Sequence, residues 1–321
     1  MRYYGFFVSL ILIKKIVVKY KCKYWLLGLA FAVVSCNSKD KENTNQTMLE
    51  GKTIMLVDET LKPIADDLVE VFESRYEGKI NIVSKSETEV IQTLLKDTSQ
   101  FAILSRKLTT QEINAFKNKK ITPETTPFAI DAIAFIRNSN NNDTLIALTD
   151  VIDFLKGQKQ THFKGLVFDN PNSSTVRFIL DKAGLKNLPE KDVFSFKTNN
   201  EVIKYVAEND NMIGVVGLNY LYQPIPSMQK YLEKINVLSV KDISNTEYFS
   251  PTQNNLAENR YPLARELYIV NCQGFPGLGR GFTAFIASDV GQRIVLKSGL
   301  LPTNVPPREI LVRKKINNEK E

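Results

Sequence analysis

Short apolar runs alternate along this chain with segments whose apolar residues recur at helical spacing. Residues 53–57, 79–83 and 101–104 read as buried strands. Between them, Ile64, Leu68, Val71 and Phe72 mark one helix face behind Pro63, and Val90, Ile91, Leu94 and Leu95 mark another. Thr109-Thr-Gln-Glu112 has the form of a capping box and opens a helix over 109–117. The theme continues with strands over 165–168, 193–196, 212–216 and 267–270, and helices over 149–155, 174–183, 200–208, 281–287 and 290–298. A last strand is expected over 309–312. Such alternation predicts an α/β fold with a largely parallel sheet. The long extended stretch 126–137 and the loop-rich 242–262 read as crossovers between two lobes.

Charge changes the picture at one end only. The chain of 321 residues carries a formal net charge of +7. Residues 1–35 hold Arg2, Lys14, Lys15, Lys19, Lys21 and Lys23 and no acid, so the remainder has 36 basic against 35 acidic residues. That balance argues against a nucleic-acid partner. The basic stretch is followed by the apolar run 25–34, too short to span a bilayer but suited to a signal-peptide core. Val33-Val34-Ser35-Cys36 then reads as a lipobox, with Cys36 diacylated as the first mature residue. Cys22 would leave with the signal. Cys272 alone would remain, which excludes an internal disulfide or a cysteine metal cluster. Residues 37–47 form a polar tether.

The candidate chemistry centres on Asn172-Ser173-Ser174-Thr175, a hydroxyl-rich segment that follows an apolar run and opens a helix. Free backbone N–H groups and the positive end of the helix dipole suit an oxyanion there, although a plain N-cap turn has the same appearance. A Cys272–His162 nucleophile pair is formally possible but is outweighed by a buried thiol and a surface histidine. Gly274-Phe-Pro-Gly277-Leu-Gly279-Arg-Gly281 fits neither the phosphate-loop nor the dinucleotide pattern and reads as a loop with a helix cap.

Several segments, in one consistent order over roughly residues 52–313, resemble the phosphate-binding proteins of bacterial phosphate ABC transporters, a branch of the type 2 periplasmic binding proteins. They are Thr60-Leu-Lys-Pro63, the Ser105-Arg106 segment after 101–104, Ala129-Ile-Asp131, 148–157, Asn172–Thr175, Met212–Tyr220, Tyr261-Pro-Leu-Ala-Arg265-Glu-Leu-Tyr268 and Gly291–Pro302. The resemblance implies an α/β fold of two lobes joined by hinge strands, with lobe 1 over 52–127 plus 247–321, lobe 2 over 128–246, and residues 36–51 as lipidated cysteine and tether. It implies a substrate-binding lipoprotein, monomeric, without cofactor or catalysis. Such a protein captures phosphate or a related oxyanion at the cell envelope, facing the periplasm, and delivers it to an ABC permease in the membrane. By position, the ligand contacts would be Thr60, the Leu61 amide, Ser86, Ser105, Arg106, Asn172, Ser173, Ser174 and Thr175.

The chain departs from the family pattern in its charges. Asp169 stands where an Arg precedes the hydroxyl loop, Gln100 where an acid would accept the proton of hydrogen phosphate, and Glu59 adds a carboxyl beside the first loop. Ser84-Lys85-Ser86-Glu87-Thr88 replaces a Gly/Ser-rich loop. Lys85, Arg106 or Arg177 could restore positive charge. These departures keep a second reading open, a sensor or interaction lipoprotein with weakened ligand binding.

Overall fold

A computed structural model describes residues 46–158 and 161–305. Cys36 with its signal segment, most of the tether, and the strand expected over 309–312 lie outside the described residues. The first lobe starts with β1 (Gly51–Asp58), α1 (Lys62–Arg75), β2 (Gly78–Lys85), α2 (Glu87–Lys96), β3 (Phe101–Leu104) and α3 (Thr110–Asn118). Pro63 sits in the first turn of α1, where its missing N–H costs nothing. Thr109 and Glu112 form the expected capping box of α3. β1 runs parallel to both β2 and β3. It is covered on both faces: Met55 and Val57 enter one core, and Leu56 enters another with Ala102, Val270 and Cys272. That is the two-residue period of a strand buried between helices.

β4 (Glu124–Asn138) carries the chain into the second lobe. Its first half pairs antiparallel with β12 and its second half antiparallel with β8. One strand therefore belongs to both lobes. The second lobe holds β5 (Leu145–Ala147), α4 (Leu148–Leu155), β6 (Gly165–Phe168), α5 (Ser174–Ala183), β7 (Val193–Ser195), α6 (Asn199–Glu208) and β8 (Met212–Gly217). Then come α7 (Asn219–Tyr222), α8 (Gln229–Leu232), β9 (Ile235–Val237), β10 (Ser239–Lys241), β11 (Tyr248–Phe249) and α9 (Gln253–Ala257). The chain returns through β12 (Ala264–Asn271), α10 (Leu278–Ala287), α11 (Asp289–Lys297) and β13 (Leu301–Pro302). The sheet runs in the order β2-β1-β3-β12-β4-β8-β6-β7, with β9 and β13 pairing β4.

Within 242–262, expected as a loop-rich crossover, β11 pairs β10, and Leu256 and Tyr261 pack into the core of the second lobe. The lobe-1 segment read from residue 247 onward thus begins with residues that the second lobe's core holds. The apolar side chains there are too sparse to show a period, so the sequence reads as loop.

The first lobe's core is aromatic. Phe72 is fully buried, with its ring 4.9 Å from Tyr76, 5.3 Å from Phe282 and 5.4 Å from Phe285. Phe72→Ala removes the ring on which α1 and α10 meet. It should destabilise the protein by about 3–5 kcal/mol in urea titration, whereas Phe194→Ala, on an exposed ring, should cost far less.

Candidate functional site

The carboxyl ends of β1, β3, β6 and β8 all point toward the cleft between the lobes, the usual place for ligands of an α/β sheet. Thr60 arrives just after β1, in the 3-10 turn Glu59–Leu61. Ser173 is the N-cap of α5, and its Oγ accepts a hydrogen bond from the Val176 amide at 3.2 Å. Ser174 and Thr175 form the first turn of that helix and are fully buried. Across the cleft the Thr60 and Thr175 hydroxyl oxygens lie 3.3 Å apart, Ser174 Oγ donates to Thr60 Oγ1 at 3.4 Å, and Arg265 Nη1 donates to Ser174 Oγ at 2.8 Å. Hydroxyls nominated from both lobes therefore converge, and they bond to one another.

Three carboxyl groups share this position. Asp169, fully buried, accepts from Ser173 Oγ at 2.5 Å, Asn199 Nδ2 at 3.1 Å and Thr60 Oγ1 at 3.4 Å. Burial pushes its pKa up to about 8, helped by the charges of Asp58 and Glu59 and opposed by Ser173 and Arg265. Asp58, at the end of β1, is also fully buried, and neither carboxyl oxygen has a hydrogen-bond partner of good geometry. Burial, then the charge of Glu87, raise it to about 7, while the nearby Ser174 hydroxyl and Arg265 pull it down. Glu59 accepts from Tyr220 Oη at 2.6 Å and Asn199 Nδ2 at 2.7 Å, and burial holds it above the usual carboxylate range despite these bonds. At neutral pH Asp169 is held mostly neutral, so a carboxyl able to donate a hydrogen bond stands where an anionic one would repel an anion.

The arginines near the cleft are already paired, while Lys85 and Lys197 face the outer cavity. Arg265 Nη2 and Nε bind Asp131 Oδ2 at 2.8 and 3.1 Å. Arg177 Nε binds Glu87 Oε1 at 2.7 Å, and Arg106 Nε binds the same oxygen at 2.9 Å. Arg106 also grips Glu112 through two N–H groups at 2.9 and 2.8 Å. Arg177 and Glu87 form an ion pair from lobe to lobe; Arg106, nominated as a ligand contact, is the structural arm of that network.

The remaining nominated residues separate. Ser105 lies beside the ion-pair network, donating to Glu87 Oε2 at 3.2 Å. Ser86 donates its amide and hydroxyl to Glu89 at 3.1 and 2.7 Å, and faces an outer cavity instead of the hydroxyl cluster. Leu61 buries its side chain in the lobe core, which leaves only its backbone for a ligand. Asn172 is exposed, its carbonyl accepting from the Thr88 amide at 3.5 Å. Gln100 precedes β3 and donates to Asp97 at 2.7 Å, at the end of the strand opposite Ser105. It cannot stand in for an acid at the site; Asp58 is the acid placed there. Cys272 sits in the first lobe's core, its thiol raised by burial to about 12, and His162 is exposed beyond α4 in the second lobe, so no nucleophile pair forms.

Asp58, Asp131, Asn199, Tyr220 and Arg265 were not nominated from the sequence. Asp131, Tyr220 and Arg265 stand in the sequence only within family-like strings, and Asn199 has the signal of following Thr198 at a helix start. Outside the hydroxyl cluster a cavity of about 820 Å³ opens between the lobes, lined by Glu59, Lys62, Lys85 and Ser86 on one side and Lys197 and Tyr220 on the other.

A family model for the PBP superfamily domain matches residues 42–290. The chain belongs to the PBP superfamily. Among solved members of similar fold, a Clostridium perfringens protein described as a phosphate ABC transporter substrate-binding protein with bound phosphate superposes with a TM-score of 0.64 at 19% identity, over 79% of this chain and 100% of that one. An ABC-type phosphate transport receptor from Vibrio cholerae gives 0.60 at 17% identity, over 78% and 100%. PstS from Borrelia burgdorferi gives 0.50 at 24% identity, over 79% and 99%. These likenesses show the superfamily's two-lobed type 2 fold. No curated protein sequence matches the chain.

The Glu87 carboxylate is buried between two guanidinium groups that are themselves partly covered. Glu87→Gln removes the carboxylate that ties the two together, leaving Arg106 only Glu112 and Arg177 only the exposed Asp181, and should cost about 1–3 kcal/mol. Denaturant titration at neutral pH checks this, with Lys62→Ala, which breaks only an exposed pair, as the near-neutral control.

Proposed function

We propose that the chain is the substrate-binding lipoprotein of an ABC-type uptake system, taking phosphate or a related small oxyanion at the cell envelope and passing it to a membrane permease without chemical change. The observation that carries this reading is the convergence of Thr60, Ser174 and Thr175 at the first turn of α5, with Arg265 on Ser174. The amide groups and dipole of a helix start favour an anion, and the guanidinium adds the charge. Asp58, with two buried oxygens lacking partners, is suited to accept the acidic hydrogen of a protonated oxyanion. The phosphate-bound Clostridium perfringens protein has the same fold, which supports the choice of ligand class. On this reading residues 1–35 direct export, Cys36 carries the lipid, and the protein works as a monomer facing the periplasm.

The three carboxyls in the cluster favour one second reading, an envelope sensor or interaction protein that keeps the fold with weakened anion capture. Titration calorimetry with phosphate, sulfate and small carboxylates separates the two. Heat of binding with phosphate in the micromolar range supports uptake; none up to millimolar concentration leaves the sensor reading. Where phosphate binds, Ser174→Ala should weaken it roughly tenfold, the value of one lost hydrogen bond to a charged group. Unchanged affinity would reduce the α5 start to helix capping. For the anchor, Cys36→Ala should move the protein from the membrane fraction to the soluble one on cell fractionation.

A further inference from the structure

The lobes are held together at the cluster by hydrogen bonds that need no ligand. Thr60 and Glu59 of the first lobe reach Asp169, Thr175, Asn199 and Tyr220 of the second. At the centre lie carboxyls that form no ion pair among the described residues: Arg265 binds Asp131 through Nη2 and Nε, Arg177 and Arg106 bind Glu87, and Lys85, level with Asp58 on β2, lines the outer cavity. Asp58 faces Glu59 on its own turn, Glu87 at the start of α2, Asp169 after β6, and Arg265 on β12. Asp169 faces Asp58, Glu59, Arg265 and the Tyr220 phenol.

We propose that this cluster is a proton-held latch: the lobes close on each other when Asp58 and Asp169 carry protons, and the cleft opens when those protons leave. Two negative charges are costly in a dry interface that already holds Glu59 and gives neither carboxyl an ion-pair partner among the described residues. Opening β4 and β12 as hinges hydrates both groups at little cost to either lobe's core. The direction follows from linkage. In the closed state the two groups release protons near 7 and 8, whereas hydrated in an open cleft they return to about 4. Closed protein thus binds more protons. The closing contribution is complete below about pH 4 and is lost as pH rises through 7 and 8. The fold supplies this coupling without a ligand, so the proposal stands apart from the oxyanion reading.

The test needs no ligand. Spin labels on Asp66→Cys and Lys197→Cys, on opposite lips of the outer cavity, report the cleft width by electron–electron resonance. The full chain carries Cys22→Ser and Cys36→Ser as well, and Cys272 is buried. From pH 6 to pH 9 the ratio of short to long distances should fall at least about a hundredfold. With Asp58→Asn and Asp169→Asn added, the short distance should persist at pH 9. A distance distribution identical at pH 6 and pH 9 overturns the latch, and so does a double variant that opens like the parent. Circular dichroism establishes that the double variant is folded; if it is not, Asp169→Asn alone must shift the opening to higher pH, and an unshifted midpoint overturns the proposal.

Discussion

The structure turns on the burial of Asp58 and Asp169 between two lobes, where neither has an ion-pair partner among the described residues. A carboxylate taken out of water needs paired charge or several good hydrogen bonds, and otherwise it keeps its proton. Asp169 has hydrogen bonds from Ser173, Asn199 and Thr60 and still sits well above its usual range. Asp58 has none of good geometry. The surrounding choices follow from this. Hydroxyls and amides fill the interface because they can serve either a neutral or a charged carboxyl, and the ion pairs lie to one side of it, where Glu87 is matched by two guanidinium groups.

The hinge carries its own electrostatic element. β4 and β12 pair from Glu124 to Ala132 and bring Asp131 and Arg265 directly opposite each other. Both are nearly inaccessible, at 1% and 2% side-chain exposure. A buried pair of this kind adds little net stability but fixes geometry. Here it holds the guanidinium so that an N–H on Nη1 meets Ser174 at 2.8 Å. The first turn of α5 is thus registered against the hinge itself, and a change at Ser174 is felt where the lobes join.

The fold was legible because its signals are local. Apolar runs marked β1, β3, β6 and β8, and Pro63 and the Thr109–Glu112 box marked where α1 and α3 begin. The site was half legible. Ser173 to Thr175 announce themselves as hydroxyls at a helix start, and they do lie in the cleft. Asp58 ends β1, Asn199 opens α6 and Tyr220 lies in α7, and nothing in their own neighbourhoods distinguishes them from caps or surface residues. Gln100 could have been set aside, since it precedes a strand whose carboxyl end faces the cleft. Asp169 was seen as an anion because a sequence gives the residue type and not its protonation, which burial decides.

The closed arrangement also limits what a ligand can gain. In it Thr60, Ser174 and Thr175 already bond to each other, to Asp169 and to Arg265. An anion entering among them exchanges these hydrogen bonds for its own, and exchange yields only about 1 kcal/mol per bond. Hydroxyls therefore set the shape of the site more than its affinity. Affinity has to come from charge, where the helix start and Arg265 act for an anion while Glu59 and any ionised Asp act against it. Asp131 already balances Arg265, so the sign of the net field rests on the protons of Asp58 and Asp169. A protonated oxyanion meets that field most favourably, since it presents less negative charge and has a hydrogen to give to Asp58.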